Sequence, residues 1–367
     1  MSLSILEFDP TKNKIFKKKR LTDGLSVSVQ IENTLWVTND ETVSLERLSF
    51  QNRDGQGNYH FGEHMQFPLS EYLTLPIVSN EEGKPEEIDI EGLDCKDGYL
   101  WLVGSHSAKR EKADRKDRET NEERLEKLLE VTRKGNRFLI AKIPVVRENE
   151  TYVLKKTVEE DGKMIRVARQ LEGDMEDNKL TEALRRDPLL KMFMDIPGKD
   201  NGFDIEGLAV AGDKVFVGLR GPVLRGWAII LELALDETDQ GAGPVLTLTS
   251  YNKHVLPLDG LGIRDICVQG ADLLILAGPT MDLDGPVAIF RWVGGVNAGN
   301  ESVDFSEVLQ KVLDVPFGKG DDHAEGMTLF SSNGGSEPDS IMIVYDSASP
   351  GRKVKENSLV ADVFALT

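Results

Sequence analysis

The chain has 367 residues, enough for two ordinary domains or one large β or α/β assembly with a sizeable core. Hydrophobic residues make up 40% of it without a long apolar run, which excludes a membrane-spanning helix. The net charge of −19 argues against general nucleic-acid binding, because such a surface repels polyphosphate. Cys95 and Cys267 are the only cysteines, too few for a disulfide scaffold or a Cys-rich zinc site, and both read as buried, inert thiols. At the start, a basic cluster follows a short apolar stretch instead of leading a longer one, the wrong order for a signal peptide. The expectation is a cytoplasmic protein with no membrane partner.

In chain order, "SILEFDP" is a short candidate strand, and "LTDGLSVSVQIENTLWVTND" from Leu21 opens the first of five related hairpins. "HFGEH" (His60 to His64) reads as loop, since its Glu is misplaced for a zinc-protease helix. "EYLTLPIV" reads as a strand before "DIEGLDCKDGYLWLVGSHS" from Asp89. The stretch from Ser107 to Gly135 has 18 charged residues among 29, with Leu125, Leu128, Leu129 and Thr132 at helical spacing, which predicts a solvated helical insertion. "RFLIAKIPV" is a strand, and "LTEALRRDPLLKMFM" from Leu180 is a second helix punctuated by Pro188. "DIEGLAVAGDKVFVGLRGP" from Asp204 repeats the Asp-Ile-Glu-Gly-Leu pentapeptide, and "WAIILELAL" and "VLTLTSY" follow as strands. "GIRDICVQGADLLILAGPT" from Gly262 leads to "VAIFRWV" and "KVLDVP". "HAEGM" from His323 starts the last copy, which ends in "LVADVFAL".

Each copy is two apolar runs joined by a Gly or Asp turn, the signature of a β-hairpin. The copies start 68, 115, 58 and 61 residues apart, close to the length of one four-stranded propeller blade with generous loops. The expected fold is all-β: a single β-propeller over residues 1–367, five blades with six as the alternative, and the insertion at 107–135. "SILEFDP" is expected to pair with the C-terminal hairpin and close the ring, removing a sheet edge.

Aligning the hairpins puts Asp23, Glu91, Glu206 and Glu325 at one position, where the fourth copy has Arg264 followed by Asp265. First strands line a propeller's axis, so these side chains form a ring whose charges repel unless neutralised. A calcium ion would neutralise them, since it takes six to eight oxygens in tolerant geometry, and Asp23, Glu91, Glu206, Asp265 and Glu325 are its candidate ligands. The alternative is that the carboxylates pin neighbouring blades by accepting backbone N–H groups. Antiparallel geometry brings the residues before each motif to the same face as the segments after each second strand. That face collects Asp40, Asp89, Asp204, Asp322 and Asp346 with Ser105, His106, Lys109, Arg110, Arg220 and Arg225. Ser105, His106, Lys109, Arg110, Arg220, Arg225 and Asp346 are the candidate ligand contacts, suited to a small anionic ligand. His106 and His323 are the candidate acid–base residues, His323 because i and i+2 on a strand share a side with Glu325.

"GLRGPVLRGWA" resembles a bacterial family known only as domain of unknown function 3616, whose hallmark Gly-Leu-Arg-Gly-Pro-Val is matched at Gly218 to Val223. With "DIEGLAV", "GSHS" and "HAEGM", the resemblance covers nearly the whole chain and implies a fold without implying a reaction. The Glu-Gly-Leu hairpins more distantly resemble phytase-like propellers with esterase activity and calcium-activated nucleotidases with five blades. Two functions follow. One is calcium-dependent hydrolysis of a phosphoester or other ester. The other is non-catalytic binding of a small anionic ligand or a protein partner on the same face.

Overall fold

The computed structural model describes residues 2–15, 19–77, 79, 86–113, 120–239, 243–334 and 337–366. The protein is all-β, built from five four-stranded antiparallel units. The first comprises Val27–Ile31, Thr34–Thr38, Ser44–Arg53 and Tyr59–Pro68. The second comprises Ile90–Lys96, Tyr99–Gly104, Ile140–Glu148 and Arg169–Leu171, and the third Asp204–Ala211, Lys214–Leu224, Trp227–Thr238 and Val245–Leu256. The fourth has Gly262–Gln269, Asp272–Gly278, Val287–Trp292 and Leu309–Val315. The fifth takes three strands from the C-terminal end, His323–Phe330, Ser340–Asp346 and Ser358–Ala365. Its fourth strand is the N-terminal Ser2–Glu7, paired antiparallel with Ser358–Ala365 from Ser2↔Val363 to Glu7↔Ser358. This is the closure expected from "SILEFDP", and it ties the two ends of the chain together.

The first strands of the five units contact one another in cyclic order, the first touching the second and the fifth touching the first again. The core lies between the units. Five apolar clusters each join two neighbours: Val27 and Trp36 pack with Ile90 and Leu100, for example, and Trp101 and Val103 with Ile205 and Leu208. Two outer edges are covered in part: Ser2–Glu7 pairs in parallel with the start of Tyr59–Pro68, and Arg169–Leu171 with the start of Val245–Leu256, which shortens the run of open N–H and C=O groups there.

Two expected elements differ. "HFGEH" lies inside the strand Tyr59–Pro68, with Tyr59 and Phe61 buried on alternate positions, and His64 bonds Glu46 with both side chains buried. "EYLTLPIV" forms no strand among its described residues, because Tyr59–Pro68 already completes the first unit. The charged segment carries the helix Asn121–Leu129, started by a Thr120/Glu123 capping box and burying no residue. Lys179–Leu184 is shorter than expected. It is capped by Asn178 and ends four residues before Pro188, which cannot continue a helix.

Because Asn121–Leu129 buries nothing, a Gly/Ser linker in its place is expected to move the melting temperature by no more than about 2 °C. A circular-dichroism melt checks this. A loss of more than about 5 °C would mean that the helix covers apolar surface.

Candidate functional site

The motif glutamates reach the axis by one repeated device. In the second, fourth and fifth units the pairing of first and second strands slips by one residue at Glu91, Arg264 and Glu325. In the third unit it slips around Glu206 and Gly207. A β-bulge leaves one residue unpaired and re-aims its side chain, and here that residue is each time the axial one. The glycine that follows allows the close approach this requires. A Cβ on Gly92 would lie 2.7 Å from the backbone nitrogen of Leu208, and one on Gly207 2.7 Å from Cα of Asp265. A Cβ on Gly326 would meet the carbonyl of Ser26 and Cα of Val27, both 2.7 Å away. The same relation places Leu25, not Asp23, at the glutamate position of the first unit. Asp23 instead takes Lys353 (2.8 Å) and the backbone N–H of Arg20 (2.8 Å).

The bulge residues differ in charge state. Glu206 is 3% exposed and accepts from Arg220 (Oε1, 2.8 Å) and Arg264 (Oε2, 3.0 Å). Burial works against its charge, but the two guanidinium groups outweigh it and hold the carboxyl below its ordinary range. Arg264 also donates to Glu325 (3.0 Å), yet burial and the neighbouring Asp346 push Glu325 up to about 8. Glu91 has no hydrogen-bond or ion-pair partner among the described residues. Burial, then Asp89, Glu206 and Glu325, raise its carboxyl well above the usual range. Asp265 lies apart from these. It accepts the N–H groups of Ile266 and, across the unit boundary, Met327 (2.7 Å), while Asp94 does the same for Cys95 and Val210 (2.7 Å). The inter-unit pins are therefore these aspartates, not the motif glutamates.

Around the ring opens a cavity of about 460 Å³. Of the expected face, it collects Asp40, Asp89, Lys109, Arg110, Asp204, Arg220 and Asp346, together with Glu91, Glu206 and Glu325. Arg137, Glu87, Lys199, Asp200 and Asp282 also line it and carry no repeat signal, since they come from connecting segments of unlike length. The lining has twelve carboxylate side chains against six cationic ones, so its charge balance disfavours an anion. The cations are mostly engaged. Arg220 donates to Glu206 and to the carbonyls of Thr280 and Met281, and Arg137 pairs with Glu87 (2.6 Å) and Asp89 (3.2 Å). Arg110 pairs with Asp200, and Lys112 with Asp282, both at 2.7 Å. By contrast Asp40 and Asp204 have no hydrogen bond or ion pair among the described residues. Burial and neighbouring carboxylates hold them up at about 8 and about 7. Asp204 is only 5% exposed.

The remaining candidates stand elsewhere. His106, 3% exposed, is fixed between the carbonyl of Gly104 (Nδ1, 2.7 Å) and the Asn178 amide (Nε2, 2.7 Å), and burial lowers it to about 4. Ser105 donates to Asp89 (2.5 Å), positioning that carboxylate. Arg225 sits at a hairpin turn with φ of 54° outside the cavity lining, and Asp322 caps Ser349. His323 pairs with Asp284 (3.2 Å) and does not join Glu325, because the bulge between Ala324 and Gly326 breaks the alternation that would put i and i+2 on one side. Among the described residues, no three His, Cys, Asp or Glu side chains are placed to hold one metal ion. Of the five candidate calcium ligands, Asp23, Glu206 and Asp265 are committed to other partners. No helix among the described residues is long and apolar enough to cross a membrane.

No curated protein matches the chain. Among solved structures it is similar to a Thermus thermophilus protein described as a candidate oxidoreductase (glucose dehydrogenase). That match has 9% identity and a TM-score of 0.35, covering 94% of this chain and 97% of that one. A Lactobacillus plantarum protein matches at 13% identity and TM-score 0.30 (94% and 84% covered), and Kluyveromyces lactis Hsv2 at 12% and 0.28 (98% and 73%). Likenesses this slight carry no argument about chemistry. Residues 24–362 match the family described as "Protein of unknown function (DUF3616)", and the chain belongs to that family.

Proposed function

We propose that the chain forms one five-bladed propeller, with 107–135 inserted in its second blade, and that the axial cavity binds a small ligand carrying positive charge. The observation that carries this is the division of labour among the carboxyls. Glu206 takes the guanidinium groups of Arg220 and Arg264, while Asp40, Glu91 and Asp204 face the same cavity with no partner among the described residues. Unneutralised carboxyls at this depth hold protons they would give up to a cation. A cavity of about 460 Å³ is of ordinary size for a small-molecule site, and most of its lining residues are charged. A divalent ion such as calcium would have to draw carboxylates together, whereas an extended organic ammonium compound would span them as they stand.

The test is a thermal melt of chelator-treated protein at pH 8 with calcium, magnesium or spermidine. A ligand at 100 times its Kd is expected to add about 2.7 kcal/mol of stability. A rise with calcium alone identifies an ion site, and a rise with spermidine alone an organic cation. No rise with any of the three would overturn the reading.

A second reading, ester hydrolysis, is favoured by one observation. Arg264 bridges an ionised carboxylate, Glu206, and a carboxyl held up to about 8, Glu325. Paired carboxyls of opposite protonation suit general acid–base chemistry. Turnover of p-nitrophenyl phosphate or p-nitrophenyl acetate, lost in Glu325→Gln, would support it. Its absence with both would leave a binding protein.

A further inference from the structure

The charged groups around the acidic cavity are sorted by depth. Its exposed lining carries Lys109, Lys112 and Lys199 against two carboxylates, Asp200 and Asp282. The buried and half-buried lining carries the other ten carboxylates against Arg110, Arg137 and Arg220. Pairing sharpens the division. Asp200 is taken by Arg110 and Asp282 by Lys112, both at 2.7 Å. Lys199 approaches Asp282 no closer than 3.9 Å, and Lys109 has no hydrogen bond or ion pair among the described residues. The uncommitted groups are thus ammonium at the mouth and carboxyl inside, Asp40, Glu91 and Asp204 among them. A second cavity, of about 410 Å³ where the first strands run on past the bulges, shows no such division. Cys95 and Cys267, expected to be buried, are half-buried in its wall.

The fold holds the two poles of the acidic cavity close together. The N–H of Gly198 donates to the carbonyl of Ala108 (3.0 Å), so Lys109 and Lys199 leave adjoining stretches of backbone. Asp204 packs its carboxyl against the same point, where a Cβ on Gly198 would lie 2.7 Å from its Cγ. Lys109 is also near enough to Glu87 to favour its charged form, and Glu87 in turn opposes ionisation of Asp40. One small molecule therefore reaches both poles at once. Ala108, Ala113 and Leu128 add apolar surface for its methylene groups.

We propose that the ligand of the acidic cavity is an amino acid with a cationic side chain, its ammonium groups on the inner carboxyls and its carboxylate on Lys109 and Lys199. This rests on the cation-binding reading and narrows it. A simple polyamine serves the interior but leaves the two ammonium groups of the mouth without a counter-charge. A simple anion is repelled by the interior. A carboxylate carried on the cation satisfies both ends.

L-Lysine and cadaverine make the direct comparison, because they share two ammonium groups and differ by one carboxylate. Calorimetric titration of the full-length protein at pH 7 is expected to show L-lysine binding at least about fivefold tighter, the scale of an exposed ion pair or two. In the double variant Lys109→Gln, Lys199→Gln that preference should vanish through weaker binding of L-lysine. Both side chains are exposed, and an unchanged melting curve confirms that the variant is folded. Cadaverine bound as tightly as L-lysine, or tighter, would overturn the inference and leave the cation-binding reading standing. So would a preference for L-lysine that persists in the double variant. Binding of neither compound would also overturn it, and without a response to calcium or spermidine the cation-binding reading would fall too.

Discussion

Glu206→Gln is expected to destabilise the protein by about 3 kcal/mol, while Glu91→Gln, the same change at the same position of the neighbouring repeat, is expected to stabilise it at pH 8. The opposite signs follow from their partners. Glu206 is buried between Arg220 and Arg264, and neutralising it leaves two guanidinium groups facing each other with only Glu325 to answer Arg264. Removing one member of a buried ion pair costs more than the pair was worth, because the charge left behind is still desolvated. Glu91 has no cation beside it. Its ionised form is disfavoured by burial and by Asp89, Glu206 and Glu325, so at pH 8 folding forces it to take up a proton or to carry a desolvated charge, and glutamine removes that cost. The gain from Glu91→Gln should therefore disappear by about pH 4, where the unfolded carboxyl is protonated as well. Denaturant melts of both variants at the two pH values check this. Equal losses in both variants would mean that the glutamates act alike as pins between neighbouring units.

The second large effect is on pH dependence. Asp40 and Glu325 titrate at about 8 and Asp204 at about 7, against unfolded values near 4. Between about pH 4 and 8 the folded chain thus holds protons that the unfolded chain has lost, and stability falls as pH rises through that window. His106, lowered to about 4 by burial, works the other way and removes stability as pH drops from about 6.5 toward 4. One histidine offsets only one of the three carboxyls, so the maximum is expected near the lower end of that window, at about pH 4 to 5. Each pH unit is worth about 1.4 kcal/mol per group, but mutually repelling carboxyls share the effect. A loss of about 3 kcal/mol from pH 6 to 8.5 is therefore expected, seen as a drop of about 6–12 °C in Tm. Glu325→Gln should flatten the slope. A Tm that is constant or rising over this range would show that the cavity carboxyls are ionised without penalty.

Much of this was legible in the sequence, and the parts that were not have identifiable causes. The repeated pentapeptide located the axial strands, and the N-terminal strand's place beside Ser358–Ala365 followed from the need to close an edge. Arg264 stood out as a departure from the carboxylate pattern, but its role as the bridge between Glu206 and Glu325 depends on the ring being closed, a long-range property. The first copy was misaligned by two residues because "LTDGL" imitates the motif. There Leu21–Asp23 is a short 3-10 turn, and no bulge follows in Val27–Ile31. His323 was drawn toward Glu325 by strict strand alternation, which a bulge breaks. Arg137 could not be found by repeats at all. It precedes the third strand of its unit, Ile140–Glu148, and reaches Asp89 only because Gly104 and Ser105 pack against the backbone that carries it.

If the axial carboxyls hold protons that a cationic ligand replaces, binding must release them, and calorimetric titration at pH 7 with spermidine and with calcium, each in two buffers of different ionisation enthalpy, measures that release directly. The difference in apparent binding enthalpy counts the protons released. Release of about one proton or more per bound cation is expected, falling toward zero at pH 9, where the carboxyls are already ionised. Binding that releases no protons at pH 7, or no binding of either cation, would contradict it.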